Sequence, residues 1–355
     1  MFRLTRHRKS FAAALALTAF TLGACGTSTA VEPAAQPEPA AAGSSAPVSS
    51  IGTSAAGSSS AGASTGAEGA APSINLGPDQ NRITTPEVAA IAALVPASIR
   101  EKGTIVITGF AGSTPPLRFY ADDDATVIGS EVDLAYLFAD VLGLEVELKS
   151  ADWAQNFVAI DAGNADAFIG NVTVTQERKE KYDFATYRND NLAVEVKAGS
   201  GLKVTGAKDL AGKSVGVGSG TNQEKILVDW SAENTAAGLE PIAIKYYQNA
   251  SDYYLAIASG RLDAYFGPNP SAAFHVASTG ETEIAGTFSG AGAGLQGEIA
   301  VLTKEGNGLA AAFAAAINET IKNGSYGEVL ARWNLTNESV AKSEINPPGL
   351  PKTES

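Results

Sequence analysis

From about residue 103 to residue 333, short apolar runs alternate with stretches whose apolar residues recur every three or four positions. Thr104–Thr108 is β-branched and reads as a strand. Val132, Ala135, Phe138, Ala139 and Leu142 have helical spacing and stop at Gly143, a natural helix end. Leu144, Val146 and Leu148 alternate as a strand does, and Trp153, Phe157 and Ile160 return to helical spacing. The order repeats further on. Lys213–Gly218, Ile242–Tyr247, Leu262–Phe266 and Ile299–Leu302 read as strands. Thr221–Glu224 is a capping box opening a helix, and further helices follow Ser251, Pro270, Gly308 and Asn323. This alternation predicts an α/β protein with mainly parallel sheets wrapped by helices.

The stretch Ala165–Ala185 carries the most chemistry. Ala167–Ile169 is a buried strand bounded by Gly170-Asn171, and Val172 and Val174 face away from Thr173 and Thr175. Thr175 offers a hydroxyl cap to a helical turn, Gln176–Lys181, with Arg178 in its first turn. A guanidinium beside free backbone amides and Thr173 suits two-point capture of a carboxylate. An ion pair with Glu177 or Asp183 on a solvated helix end is the equal alternative.

Ahead of the body the pattern changes. Arg3, Arg6, Arg8 and Lys9 precede an apolar run, Phe11–Leu22, too short to span a bilayer. Residues 1–24 read as a secretory signal ending in Leu22-Gly23-Ala24-Cys25. Cys25 is the only cysteine, so the monomer forms no internal disulfide. Small residues before it resemble a lipobox, which makes Cys25 the expected lipidation site and the cell membrane's outer face the expected location. Residues 25–78, nearly all Ala, Gly, Ser, Thr and Pro, cannot bury a core and read as a flexible tether. Residues 79–102 form a lead-in helix interrupted by Pro96. The formal net charge of −13 excludes nucleic acid and charge-driven docking on anionic lipid.

The remaining length suits two lobes. Lobe 1 is expected over 103–190 with a return over 293–340, lobe 2 over 191–292, and a tail over 341–355. The chain would cross at Arg188–Asn191 and in the Gly-rich segment Ser289–Gly297, where glycine permits dihedral change. Ligands of open α/β sheets sit beyond the carboxyl ends of strands. Here those are Gly109–Ser113, Gly170–Arg178, Ser219–Asn222 and Gly267–Asn269, facing one another across a cleft.

Six segments in order resemble the polar amino-acid solute-binding proteins of bacterial ABC importers (family 3 extracellular solute-binding proteins): TPPL at 114–117, GSEVDLA at 129–135, NVTVTQERKEKYDFA at 171–185, KDLAGKSVGVGSGT at 208–221, SGRLDAYF at 259–266 and NGSYGEVLARW at 323–333. The resemblance implies a two-lobed type II periplasmic-binding-protein flytrap, monomeric, that closes on a small amino acid-like ligand and presents it to a membrane permease. It casts Arg178 as the clamp on the ligand α-carboxylate, with Thr173 and Gly170-Asn171 beside it. It makes Trp153 a stacking aromatic, a role for which a core tryptophan competes, and Thr221-Asn222 helix-start donors from lobe 2.

The sequence departs from the family's pattern at both usual ammonium anchors. Pro268, followed by Asn269, stands where a carboxylate is expected, and Ala111 and Thr114 replace an acid and an aromatic, leaving Phe110 the nearby ring. Either Glu298 or Glu131 replaces those acids, or the ligand is not an ordinary α-amino acid. An enzyme on the same fold is the competing class, because a few relatives are dehydratases. His275, the only histidine beyond the signal, reads as structural. A sensor subunit for a membrane receptor is a third reading. No metal-ligand spacing occurs, and no cofactor is implied.

Overall fold

The computed structural model describes residues 74–112 and 114–352. The signal, Cys25 and nearly all of the tether lie outside the described residues. Near Pro78 the chain is already folded: Ile74 packs against the first core, and Gly77 N–H donates to Asn75 Oδ1 at 2.9 Å.

Two short helices, α1 (Ala89–Ala92) and α2 (Ala97–Lys102), flank Pro96 and lead into β1 (Thr104–Gly109). A two-stranded ribbon, β2 (Phe119–Tyr120) and β3 (Val127–Ile128), precedes α3 (Ser130–Leu142), which ends at Gly143 in the left-handed region. Then come β4 (Glu145–Ser150), α4 (Trp153–Asp161), β5 (Ala167–Phe168) and a 16-residue strand, β6 (Tyr182–Lys197). The second half contains β7 (Ser214–Val217), α5 (Asn222–Ala236), β8 (Ala243–Tyr246), α6 (Ala250–Ala258), β9 (Ala264–Pro268), α7 (Asn269–Thr279) and β10 (Thr282–Ser289). The chain returns through β11 (Gly297–Lys304), α8 (Leu309–Asn323) and α9 (Ser325–Arg332).

β6 belongs to both lobes. Its first part pairs antiparallel with β11, Gly297 opposite Asp190, and its second part pairs with β9 and β10. Parallel pairing is confined to the wings, where β1 lies between β4 and β5, and β7 between β8 and β9. The α/β, two-lobed expectation holds, but the centre is antiparallel, because a strand shared by two lobes is met by chains returning from each. Separate hydrophobic cores form on the two wings. Ile105, Ile107, Phe138, Phe313 and Trp333 anchor the first, and Val194, Val215, Leu227 and Phe266 the second. Trp333 also donates its indole N–H to Asp133 at 2.8 Å, so a large apolar surface and a polar handle are satisfied together.

Between the cores, β6 carries a buried polar cluster. Arg188, 1% exposed, donates to Glu131 Oε1 at 2.9 Å, to Glu338 Oε2 and to Asn171 Oδ1. Burial pulls this guanidinium down, but Glu338 and Glu131 outweigh it and hold it far above its ordinary value. The returning crossing is fitted closely against β6. Gly290 N–H donates to Asp190 O at 2.9 Å, and a Cβ at Gly290 would lie 1.7 Å from Asp190 Oδ2. Only glycine fits there.

Residues 341–352 do not form a loose tail. Glu344 and Thr186 exchange hydrogen bonds, Asn346 N–H donates to Phe184 O at 3.1 Å, and Leu350 bridges Thr175. Lys179 Nζ donates to the carbonyls of Asn346 and Pro347. Leu350 is 4% exposed and belongs to the second core. This strap therefore fastens the Thr173–Lys179 loop of lobe 1 against lobe 2. Nothing in its composition gives it a periodic pattern, so its order comes from these partners.

Two stability outcomes are expected. Arg188→Ala leaves Glu131 and Glu338 buried without their cation, which should cost about 3–5 kcal/mol. Leu350→Ala should cost about 2–3 kcal/mol by opening a cavity at the strap. Urea unfolding of both variants checks this, and a loss below about 0.5 kcal/mol in either, a value ordinary for surface positions, would remove that residue from the fold's supports.

Candidate functional site

The carboxyl ends of β1, β5, β7 and β9 converge, as open α/β sheets arrange their ligand sites. Phe110 follows β1, Gly170 and Asn171 follow β5, and Trp153 opens α4. Gly218, Ser219 and Thr221 lie between β7 and α5, and Gly267-Pro268 end β9. Together with Asn222, Gln223, Tyr247, Gln248 and Tyr265 they enclose a cavity of about 120 Å³ between the lobes. None of its lining residues is charged. A wider cavity of about 620 Å³ shares the Thr221-Asn222 corner and is bordered by Arg178, Glu177, Lys181, Glu224 and Lys225.

Local chemistry places each group. Thr221 caps α5 by accepting from Glu224 N–H at 3.2 Å, while Glu224 Oε2 accepts from Gly220 N–H at 2.6 Å. Asn171 sits at φ +59°, a left-handed conformation that asparagine tolerates. Thr175 Oγ1 accepts from Arg178 N–H at 3.1 Å, as a hydroxyl cap does, but the turn it opens is a single 3-10 turn, Arg178–Glu180. The backbone leaves that turn early because Tyr182 already begins β6.

Arg178 forms no ion pair with Glu177 or Asp183. Asp183 is engaged by Gly306 N–H and Asn346 Nδ2, and among the described residues Arg178 has no carboxylate within salt-bridge reach. Its Nη1 donates to Thr173 O at 2.9 Å and its Nη2 to Gly220 O, in lobe 2, at 3.0 Å. Trp153 Nε1 donates to the same Gly220 oxygen at 3.2 Å. The Arg178 guanidinium carbon lies 5.5 Å from the Trp153 ring centroid and 5.4 Å from that of Phe157. Burial pulls its pKa down to about 10, with Asp190 opposing, so the group stays cationic near neutral pH. Trp153 packs edge-on against Phe157 and Phe168, and its indole N–H reaches across the cleft.

Of the residues singled out from the sequence, Phe110, Trp153, Gly170, Asn171, Thr221 and Asn222 line the inner cavity. Arg178 stands at the outer one. Thr173 is buried, and its hydroxyl donates to Asp190 Oδ2 at 2.7 Å rather than facing open space. Two residues singled out from the sequence line neither of these cavities. Glu298 does not reach the cleft, because the pleat of β11 turns its side chain to Thr186, Glu344 and Lys342; burial, then Glu344, raises its pKa. Asn269 begins α7 and opens on a separate cavity of about 330 Å³ with Phe274, Trp333 and Glu338. Glu131 is likewise committed elsewhere, to Tyr187 and Arg188. His275 lies outside the cleft, its Nδ1 2.8 Å from Glu195 and 2.9 Å from Thr282 Oγ1.

Asp190 is the residue that the sequence reading missed. It is 1% exposed and accepts from both Thr173 and Asn222 Nδ2, the latter at 3.0 Å. Burial raises its pKa against the pull of Thr173 and Arg188. Its signal was an acid two residues beyond an arginine on one strand, which places both on the same face. Among the described residues no group of three or more His, Cys, Asp or Glu is arranged to hold a metal, and no helix is long and apolar enough to cross a membrane.

Comparison with known proteins agrees with this fold. The chain is 33% identical over 236 residues to the L-cystine-binding protein TcyJ of Escherichia coli (strain K12), covering 66% of this chain and 84% of that one. It is 28% identical over 269 residues to the arginine-binding protein ArgT of Corynebacterium glutamicum, covering 75% and 85%. Among solved structures, an ancestral arginine-binding protein bound to arginine matches with a TM-score of 0.57 at 28% identity, covering 65% of this chain and 98% of that one. An ancestral amino acid-binding protein described as a precursor of cyclohexadienyl dehydratase shares the fold, with a TM-score of 0.57 at 22% identity. Residues 106–336 match the family model of the bacterial extracellular solute-binding proteins, family 3, and the chain belongs to that family.

Proposed function

We propose that this chain is the extracytoplasmic solute-binding lipoprotein of an ABC importer. It captures a small polar, carboxylate-bearing ligand, an amino acid or a derivative, by closing its lobes. It then delivers that ligand to a membrane permease. The observation that carries this reading is Arg178: a cation at the lobe junction whose two hydrogen bonds both go to carbonyl oxygens. A guanidinium bonds a carboxylate by two parallel N–H groups and more strongly than it bonds a carbonyl. A ligand carboxylate entering the cleft takes the place of Gly220 O, which Arg178 and Trp153 now share. The relatives named for cystine and arginine binding support an amino acid as the cargo. Cys25 after Leu22-Gly23-Ala24 supports the lipid anchor on the outer face of the cell membrane, with the Ala/Gly/Ser tether giving the body reach.

Neither the enzyme nor the sensor reading has an observation in its favour. His275 is committed to Glu195 and Thr282, and no Asp, Glu, His, Lys or Arg lines the inner cavity.

Arg178→Lys keeps the charge but loses the planar fork, so affinity for the bound amino acid should fall roughly ten- to hundred-fold. Arg178→Ala should fall further. The ligand-free melting temperature should fall only modestly, since the two hydrogen bonds lost, about 0.5–1.5 kcal/mol each, are offset by removal of a desolvated cation. Calorimetric titration of an amino acid panel including L-arginine and L-cystine, with melting curves on the same samples, checks both halves. Unchanged affinity in Arg178→Ala would overturn the clamp.

A further inference from the structure

Hydrogen-bond polarity at the cleft floor is fixed by two residues of β6. Arg188 can only donate, so the Asn171 amide must turn its oxygen toward it, leaving the Asn171 N–H groups free. The opposite holds for Asn222. Its Nδ2 donates to Asp190 Oδ2 at 3.0 Å and to Gly290 O at 3.0 Å, two partners that can only accept. Both amide protons are spent, and Asn222 Oδ1 remains as a pure acceptor on a residue that lines the inner cavity. Thr173 is committed in the same sense, its one hydroxyl proton given to Asp190. A second acceptor stands nearby. Gln223 Oε1, on the same helix start and the same cavity, is buried without a partner among the described residues. A buried orphan acceptor is costly unless something arrives to donate to it.

We propose that Asn222 Oδ1, held in that orientation by Asp190, receives the ligand's ammonium group, with Gln223 Oε1 beside it. Asp190 is a positioning residue: it does not touch the ligand, but it fixes the amide and places a buried negative charge behind it. This pair supplies what Ala111 and Pro268 lack, and it assigns the ligand a cationic α-nitrogen on the carbon that bears the carboxylate held by Arg178. The inference rests on the amino acid reading above.

The test compares L-arginine and L-cystine with analogues lacking only the α-amino groups, 5-guanidinopentanoate and 3,3′-dithiodipropionate, by calorimetric titration. For whichever amino acid binds, the wild-type protein should prefer it over its analogue by roughly ten- to hundred-fold. Asp190→Asn frees the amide to rotate, and Asn222→Ala removes the acceptor. In both, the preference should shrink to within roughly three-fold, mainly through loss of amino acid affinity. The two variants are independent, so a folding failure in one leaves the other decisive. A purely structural role would weaken amino acid and analogue alike and keep the wild-type ratio. That result would overturn the inference while leaving the amino acid reading intact. Failure of the wild-type protein to bind either amino acid or any of the twenty protein amino acids would overturn the reading, and the inference with it.

Discussion

Arg188 lies between Glu131 and Glu338 with almost no contact with water. Removing one cation and two carboxylates from water is costly, and the cost is offset only while all three stay together. The three come from α3, from β6 and from the segment after α9, so the pairing holds three distant parts of the chain at the point where β6 passes from one lobe to the other. Asp190 repeats the device two residues later, gathering Thr173 from lobe 1 and Asn222 from lobe 2. The lobes can be separate cores and still meet at a defined angle because this strand carries both clusters on one face.

The same strand explains why the cleft is polar without being charged. Its charges are buried behind the cavity and act through amides, turning Asn171 into a donor and Asn222 into an acceptor. Amides oriented in advance by buried partners lose less freedom on binding than mobile side chains would. Gly220 O completes the picture from lobe 2. It accepts from both Arg178 and Trp153 and keeps a buried cation hydrogen-bonded.

The elements were legible because their signals are local. Helical spacing from Val132 to Leu142 and the glycine after it marked α3, and the Thr221–Glu224 box marked the start of α5. Loop ends after parallel strands likewise located Phe110, Asn171 and Thr221 around one cavity, and the family resemblance added Trp153. What the sequence concealed is non-local. The antiparallel centre depends on one strand serving two lobes. The strap at 344–350 is held by Thr186, Phe184 and Val174, none near it in sequence. Glu298 was attractive as an acid near a crossing, but strand alternation turned it away from the cleft. Asp190 was passed over because its importance lies in what it bonds to, and a sequence does not print partners.

The central claim is that the cleft is built for a ligand carrying a carboxylate at Arg178. Native mass spectrometry of the protein purified from its own cells, with the co-purifying small molecule released and identified, addresses it most directly. The account predicts one small molecule per chain bearing a carboxylate and a cationic nitrogen, released intact. A neutral sugar or another ligand without a carboxylate, bound at the same stoichiometry, would contradict it.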